Sequence, residues 1–175
     1  MAEFYTTEEA VRIKLIELIK ITYDELPIVR AYQNLTQPVD ILNGESLLTI
    51  DVERIDKLGT DFIYGVDTDT GAYVMAGDRT AQILLELYSP EALGALTHLR
   101  DIWETPEYID IQLNMGMIEQ RSNIPPTSST RKQSKEKYVT SARYITKFNI
   151  GIFYTVGGGV ILGNIEEANI TRSFS

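Results

Sequence analysis

The first stretch that invites chemistry is Asp67-Thr68-Asp69-Thr70-Gly71, where alternating carboxylates precede a glycine. A helix–loop–helix calcium loop needs its glycine at the sixth position, a closing glutamate at the twelfth, and helices on both flanks. Here the glycine is fifth, Asp78 stands where the glutamate belongs, and the flanks read as strands. The segment therefore predicts a hairpin turn. Asp51 and Glu53 offer a carboxylate pair of the kind that metal-dependent nucleases use. Their i, i+2 spacing equally fits the solvated face of a half-buried strand. His98 is the sole histidine, and with no cysteine in the chain it lacks partners for a metal site. Helical spacing sets it beside Ala95, Asp101 and Ile102, away from the apolar stripe of its helix. Gly157-Gly158-Gly159 is followed by no Lys-Ser/Thr, so it predicts a turn rather than a phosphate cradle. These readings leave no catalytic, cofactor-binding or metal-binding residue.

Charge narrows the classes further. Sixteen basic residues face 25 acidic ones, a formal net charge of −9. Such a balance opposes affinity for duplex DNA, which phosphate attraction dominates. Four of the basic residues, Arg131, Lys132, Lys135 and Lys137, gather in one polar segment. They read either as an arm docking on an acidic neighbour or as a solvated connector. The absence of cysteine excludes disulfides and thiolate chemistry and fits a reducing compartment. The opening residues show no signal-peptide pattern, and Val11–Ile21 is too interrupted by charge to span a membrane.

The elements that would position these residues follow from periodicity. Thr6 and Glu9 have capping-box spacing, and Val11, Leu15, Leu18 and Ile19, widened by Ile13, Ile16 and Ile21, form one apolar stripe. That predicts a packed helix ending near Asp24. Pro27 blocks its continuation, and a first strand follows, with Ile28, Arg30 and Tyr32 on one face. Further strands are expected at 46–55, 61–66, 72–75 and 80–88. Ser89-Pro90-Glu91 reads as N-cap, first helical residue and dipole-favoured acid of a second helix, buried through Ala92, Leu96, Leu99 and Trp103. Residues 107–114 fit a short helix or an extended link. Met115–Gln120 reads as a short strand, 122–137 as a flexible polar loop, 144–156 as a long strand, 157–159 as a turn or hinge opening a C-terminal tail, and 160–170 as a last strand or part of that tail. At 175 residues and 43% hydrophobic, the chain suffices for one cored domain. The expected fold is α+β: a single domain with a mostly antiparallel or mixed β-sheet and two main α-helices packed on it.

Within this frame Pro27-Ile28-Val29-Arg30-Ala31-Tyr32-Gln33-Asn34, directly after the amphipathic helix, resembles the start of bacteriophage neck or tail terminator proteins. The strand running into Ser89-Pro90-Glu91-Ala92-Leu93, the link containing Pro125 and the strand from Arg143 to Tyr154 agree in order, so the resemblance spans roughly residues 8–156. It implies a structural virion protein with no enzymatic activity and no cofactor. Such proteins form a homo-oligomeric ring, usually hexameric, that caps the head-proximal end of the tail tube, stops tube polymerisation and serves head–tail joining. The partners implied are the tail tube protein, the sheath protein where one exists, and a head-completion or connector protein. DNA would pass through the lumen without specific binding. The implied location is the virion neck or tail, reached through the host cytoplasm. Arg30, Tyr32, Arg131, Lys132, Lys135 and Lys137 are then the candidate subunit or neck contacts. A head–tail adaptor binding the portal is the alternative within this class, and a carboxylate-metal enzyme the alternative outside it.

Overall fold

A computed structural model describes residues 7–30, 46–67, 70–120, 124–132, 138–155 and 160–162, with backbone only at 129–132, 138–139 and 160–162. The elements are helix α1 (Thr7–Thr22), strands β1 (Ile28–Arg30), β2 (Leu47–Val66) and β3 (Tyr73–Tyr88), helices α2 (Ala92–Trp103) and α3 (Pro106–Asn114), and strands β4 (Met117–Gln120), β5 (Thr127–Lys132), β6 (Tyr138–Thr155) and β7 (Val160–Leu162). The strands make one sheet, ordered β1-β2-β3-β6-β4, with β5 and β7 also paired to β6. Every pairing is antiparallel except β1–β2, which is parallel. The result is the expected α+β fold with a mixed sheet. A third helix joins the two predicted.

Alternation along the strands sends Leu48, Ile50, Ala81, Ile83, Leu85, Tyr144 and Phe148 to one side, where they are buried. On that side they meet Val11, Leu15, Leu18 and Ile19 of α1 and Leu96, Leu99 and Trp103 of α2 in one core. Trp103 meets Phe148 edge to face, with ring centroids 5.4 Å apart. Val11, Leu15, Leu18 and Ile19, with Ile16 packed beside them, are thus the stripe their spacing predicts, whereas Ile13 does not join this core and Ile21 is 52% exposed. Glu9 accepts from Arg12, and Thr6, its expected capping-box partner, lies outside the described residues.

Several boundaries differ from the sequence expectation. The separate strands expected over 46–66 are a single strand, β2, whose register shifts at Val52/Arg54, Leu58/Phe62 and Ile63/Gly65. Each bulge resets the alternation, so one bent strand reads as two. Gly59, at φ 73°, supplies the left-handed residue in the widest of these. Likewise 72–75 and 80–88 belong to one strand, β3. Ser89 does not cap α2. Its Oγ accepts the Glu91 N–H at 3.4 Å, forming a turn ahead of a helix that begins at Ala92. Residues 107–114 are helical, and Pro106 stands at the start of that helix. The polar loop at 122–137 contains β5, paired to β6 from Thr127↔Arg143 to Lys132↔Tyr138. Pairing uses the backbone alone, so a Ser/Thr-rich edge strand shows no apolar signature. The turn at Asp67 is as predicted: Gly71 N–H donates to the Asp67 carbonyl at 2.8 Å, and Gly71 adopts φ 70°. The glycine run 157–159 and the tail beyond 162 lie outside the described residues. Among those described, no helix is long and apolar enough to cross a membrane.

Candidate functional site

Arg30 ends β1 opposite Ile50 at the edge of the sheet. Its Nη2 donates to Glu8 Oε1 at 3.0 Å, and that same oxygen accepts from Arg12 Nη2 at 2.5 Å. Arg30 therefore ties the first strand to the first turn of α1 and stays about half exposed. Tyr32, Lys135 and Lys137 lie outside the described residues. Arg131 and Lys132 sit in β5, opposite Val139 and Tyr138. Because β1 and β5 flank opposite sides of the β2-β3-β6 core of the sheet, Arg30 and the β5 positions Arg131 and Lys132 stand on separate strands at opposite edges.

The chemical candidates separate as well. His98 is exposed on α2, with only an edge contact to Tyr23 at 6.4 Å. Glu53 accepts a hydrogen bond from Gln82 at 2.9 Å. Burial pushes the Asp51 carboxyl up, and the negative charges of Glu53 and Glu8 add to that. Among the described residues no three His, Cys, Asp or Glu side chains group as metal ligands.

Two clusters that sequence reasoning missed are better built. One lies under the α3–β4 corner. Buried Gln112 donates to the Trp103 carbonyl at 2.9 Å and accepts the Glu119 N–H at 2.7 Å. Glu119 Oε1 accepts from the Tyr144 and Thr146 hydroxyls, each at 2.5 Å. Burial raises the Glu119 carboxyl above its usual range despite those two bonds. For Tyr144, burial and then the Glu119 bond push the phenol up.

The second cluster occupies the far half of the β2–β3 hairpin. Arg79 forks onto Asp61, with Nη1–Oδ1 at 2.7 Å and Nη2–Oδ2 at 2.8 Å. Lys57 Nζ and the Tyr154 hydroxyl reach the same Oδ2 at 2.9 and 2.8 Å. Arg79 chiefly, then Lys57 and Tyr154, hold the Asp61 carboxyl well below the ordinary range, against the opposing effect of its burial. Gly77 makes the room, since a Cβ there would stand 2.0 Å from Asp61 Oδ1. On the opposite side of these strands lies an open apolar groove of 460 Å³, whose walls include Leu58, Phe62, Ala76, Asp78, Leu113 and Phe153. Leu58 and Phe62 are 45% and 54% exposed. The bulge between Leu58 and Phe62 hides both features in the sequence, because it breaks the alternation that would assign their faces.

No known protein family and no curated protein matches this chain.

Proposed function

We propose that this chain is a structural protein of a bacteriophage neck, a terminator that forms a ring on the head-proximal end of the tail tube and ends its growth. The reading rests on the sequence resemblance. The structural observation that supports it is the far half of the β2–β3 hairpin, which leaves Leu58, Phe62, Ile63 and Tyr73 in water at 45–61% exposure. Large apolar side chains left in water on both sides of one hairpin mark interaction surfaces, since lone monomers keep such patches small. The domain architecture suits the role: a helix layer covers one side of the sheet and leaves the hairpin to meet neighbours.

The acidic balance of −9 suits a lumen through which DNA slides without adhering. The test is tube assembly. Purified tail tube protein polymerised with this chain should give tubes of limited length, each ended by this protein. Tubes of unrestricted length, with the chain unbound, would refute the terminator role. Binding to portal instead of tube would replace it with the head–tail adaptor role.

A further inference from the structure

The far half of the hairpin exposes apolar side chains on both of its sides. Register assigns those sides row by row. Leu58, Asp78 and Gly151 are aligned, as are Phe62, Ala76 and Phe153. Gly77 and Ile152 run between them, Lys57, Arg79 and Ile150 form the row next to Leu58, and Ile63, Met75 and Tyr154 the row next to Phe62. Ile150 and Tyr154 join the helix-side core, whereas Val74, Ala76, Phe153 and Tyr64 form a separate small cluster. Leu58 and Phe62 thus face the outer side, while Ile63 and Tyr73, 61% and 58% exposed, face the helix-bearing side.

Charge divides the same way. On the outer side, Asp78 is an exposed carboxylate lining the groove. On the helix-bearing side, Lys57 and Arg79 share the single carboxylate of Asp61, which leaves one positive charge in excess. The two sides are complementary to each other rather than to themselves. A two-fold dimer would bury the same side of both copies and leave the other bare. A head-to-tail contact buries one side of each kind at every junction.

We infer that the hairpins of neighbouring copies stack front to back: the groove walled by Leu58 and Phe62 receives Ile63 and Tyr73 of a second copy, and Asp78 faces that copy's Lys57. A groove of 460 Å³ lies within the roughly 300–1,000 Å³ range of binding pockets and has room for such side chains. The inference deepens the ring reading above and rests on it, since a head-to-tail contact closes into a ring when its rotation permits.

The chain has no cysteine, so introduced thiols report single positions. Phe62→Cys and Tyr73→Cys chains, mixed and treated with a short bis-maleimide, should cross-link to each other and not to themselves. The Phe62→Cys/Tyr73→Cys double variant should give a ladder of multimers. Circular dichroism confirms that each variant is folded. Asp78→Lys should weaken association about tenfold at low salt, and adding Lys57→Glu to the same chain should restore it. Homotypic Phe62→Cys cross-links, or none in the mixture, overturn the front-to-back contact. If wild-type rings persist in that case, the ring reading survives. A wild-type protein that stays monomeric overturns both.

Discussion

Substituting Gly77 by alanine should spring the ion cluster of the hairpin. The new Cβ would lie 2.0 Å from Asp61 Oδ1, 2.7 Å from its Cγ and 3.0 Å from Arg79 Nη1. No heavy-atom pair tolerates the first of these, so the carboxylate must leave its fork. The side chains of Asp61 and Arg79 are only 6% and 12% exposed. Removing one member of a buried ion pair costs about 3–5 kcal/mol. Lys57 is half exposed and follows the displaced carboxylate, which brings the expected loss down to about 2–3 kcal/mol. In a domain of this size that lowers the melting temperature by roughly 5–10 °C. The pH dependence gives a second readout. Because the folded Asp61 carboxyl is held below its ordinary value, its contribution is present above about pH 4 and is lost as pH falls through the folded value. Wild-type and Gly77→Ala melting temperatures should therefore differ at neutral pH and converge in strong acid. A variant that melts with wild type at neutral pH, or keeps the full gap at about pH 2, would refute the clamp.

Four other outcomes are expected. Gln112→Ala orphans the Trp103 carbonyl and the Glu119 N–H, and urea unfolding should show a loss of about 2–4 kcal/mol. Glu119 has a raised carboxyl, so its contribution is fully present below about pH 4.3 and is lost as pH rises through the folded value. Glu119→Gln keeps an acceptor for Tyr144 and Thr146, and urea midpoints should then equal or exceed wild type at neutral pH, with a flatter pH profile. Reversing Arg131, Lys132, Lys135 and Lys137 together should weaken assembly, most at low salt, by light scattering; unchanged assembly makes the segment a plain connector. Arg30→Ala should leave assembly intact and cost less than about 1 kcal/mol in urea, because its Glu8 partner is an exposed pair.

The sequence was most legible where one face of an element is buried and its period is unbroken. Val11, Leu15, Leu18 and Ile19 gave away α1, and Ala81, Ile83, Leu85 and Leu87 gave away the buried half of β3. Legibility failed where backbone geometry, not side-chain pattern, decides. Three bulges in β2 scramble its alternation, and Asp61 sits inside one of them with no signal that it meets Arg79 eighteen residues on. Nothing polar in Thr127–Lys132 announces a strand, because its partner β6 supplies the order through main-chain pairing. Pro106 stands in the first turn of α3, where its missing N–H costs no helical bond, yet the same residue breaks a helix elsewhere, so its type alone does not settle residues 107–114. Arg30, Tyr32 and the basic residues of 131–137 stand out in the sequence as contacts, whereas the apolar surface of Leu58 and Phe62 becomes visible only once the bulge assigns them a side.

The central claim is that copies of this chain close into a ring. Negative-stain electron microscopy of the purified wild-type protein, with light scattering on the same sample, tests it most directly. The account predicts closed rings with an open centre and a scattering mass that is a whole multiple of the 19.8 kDa chain. Single particles of one-chain mass at every concentration would contradict it.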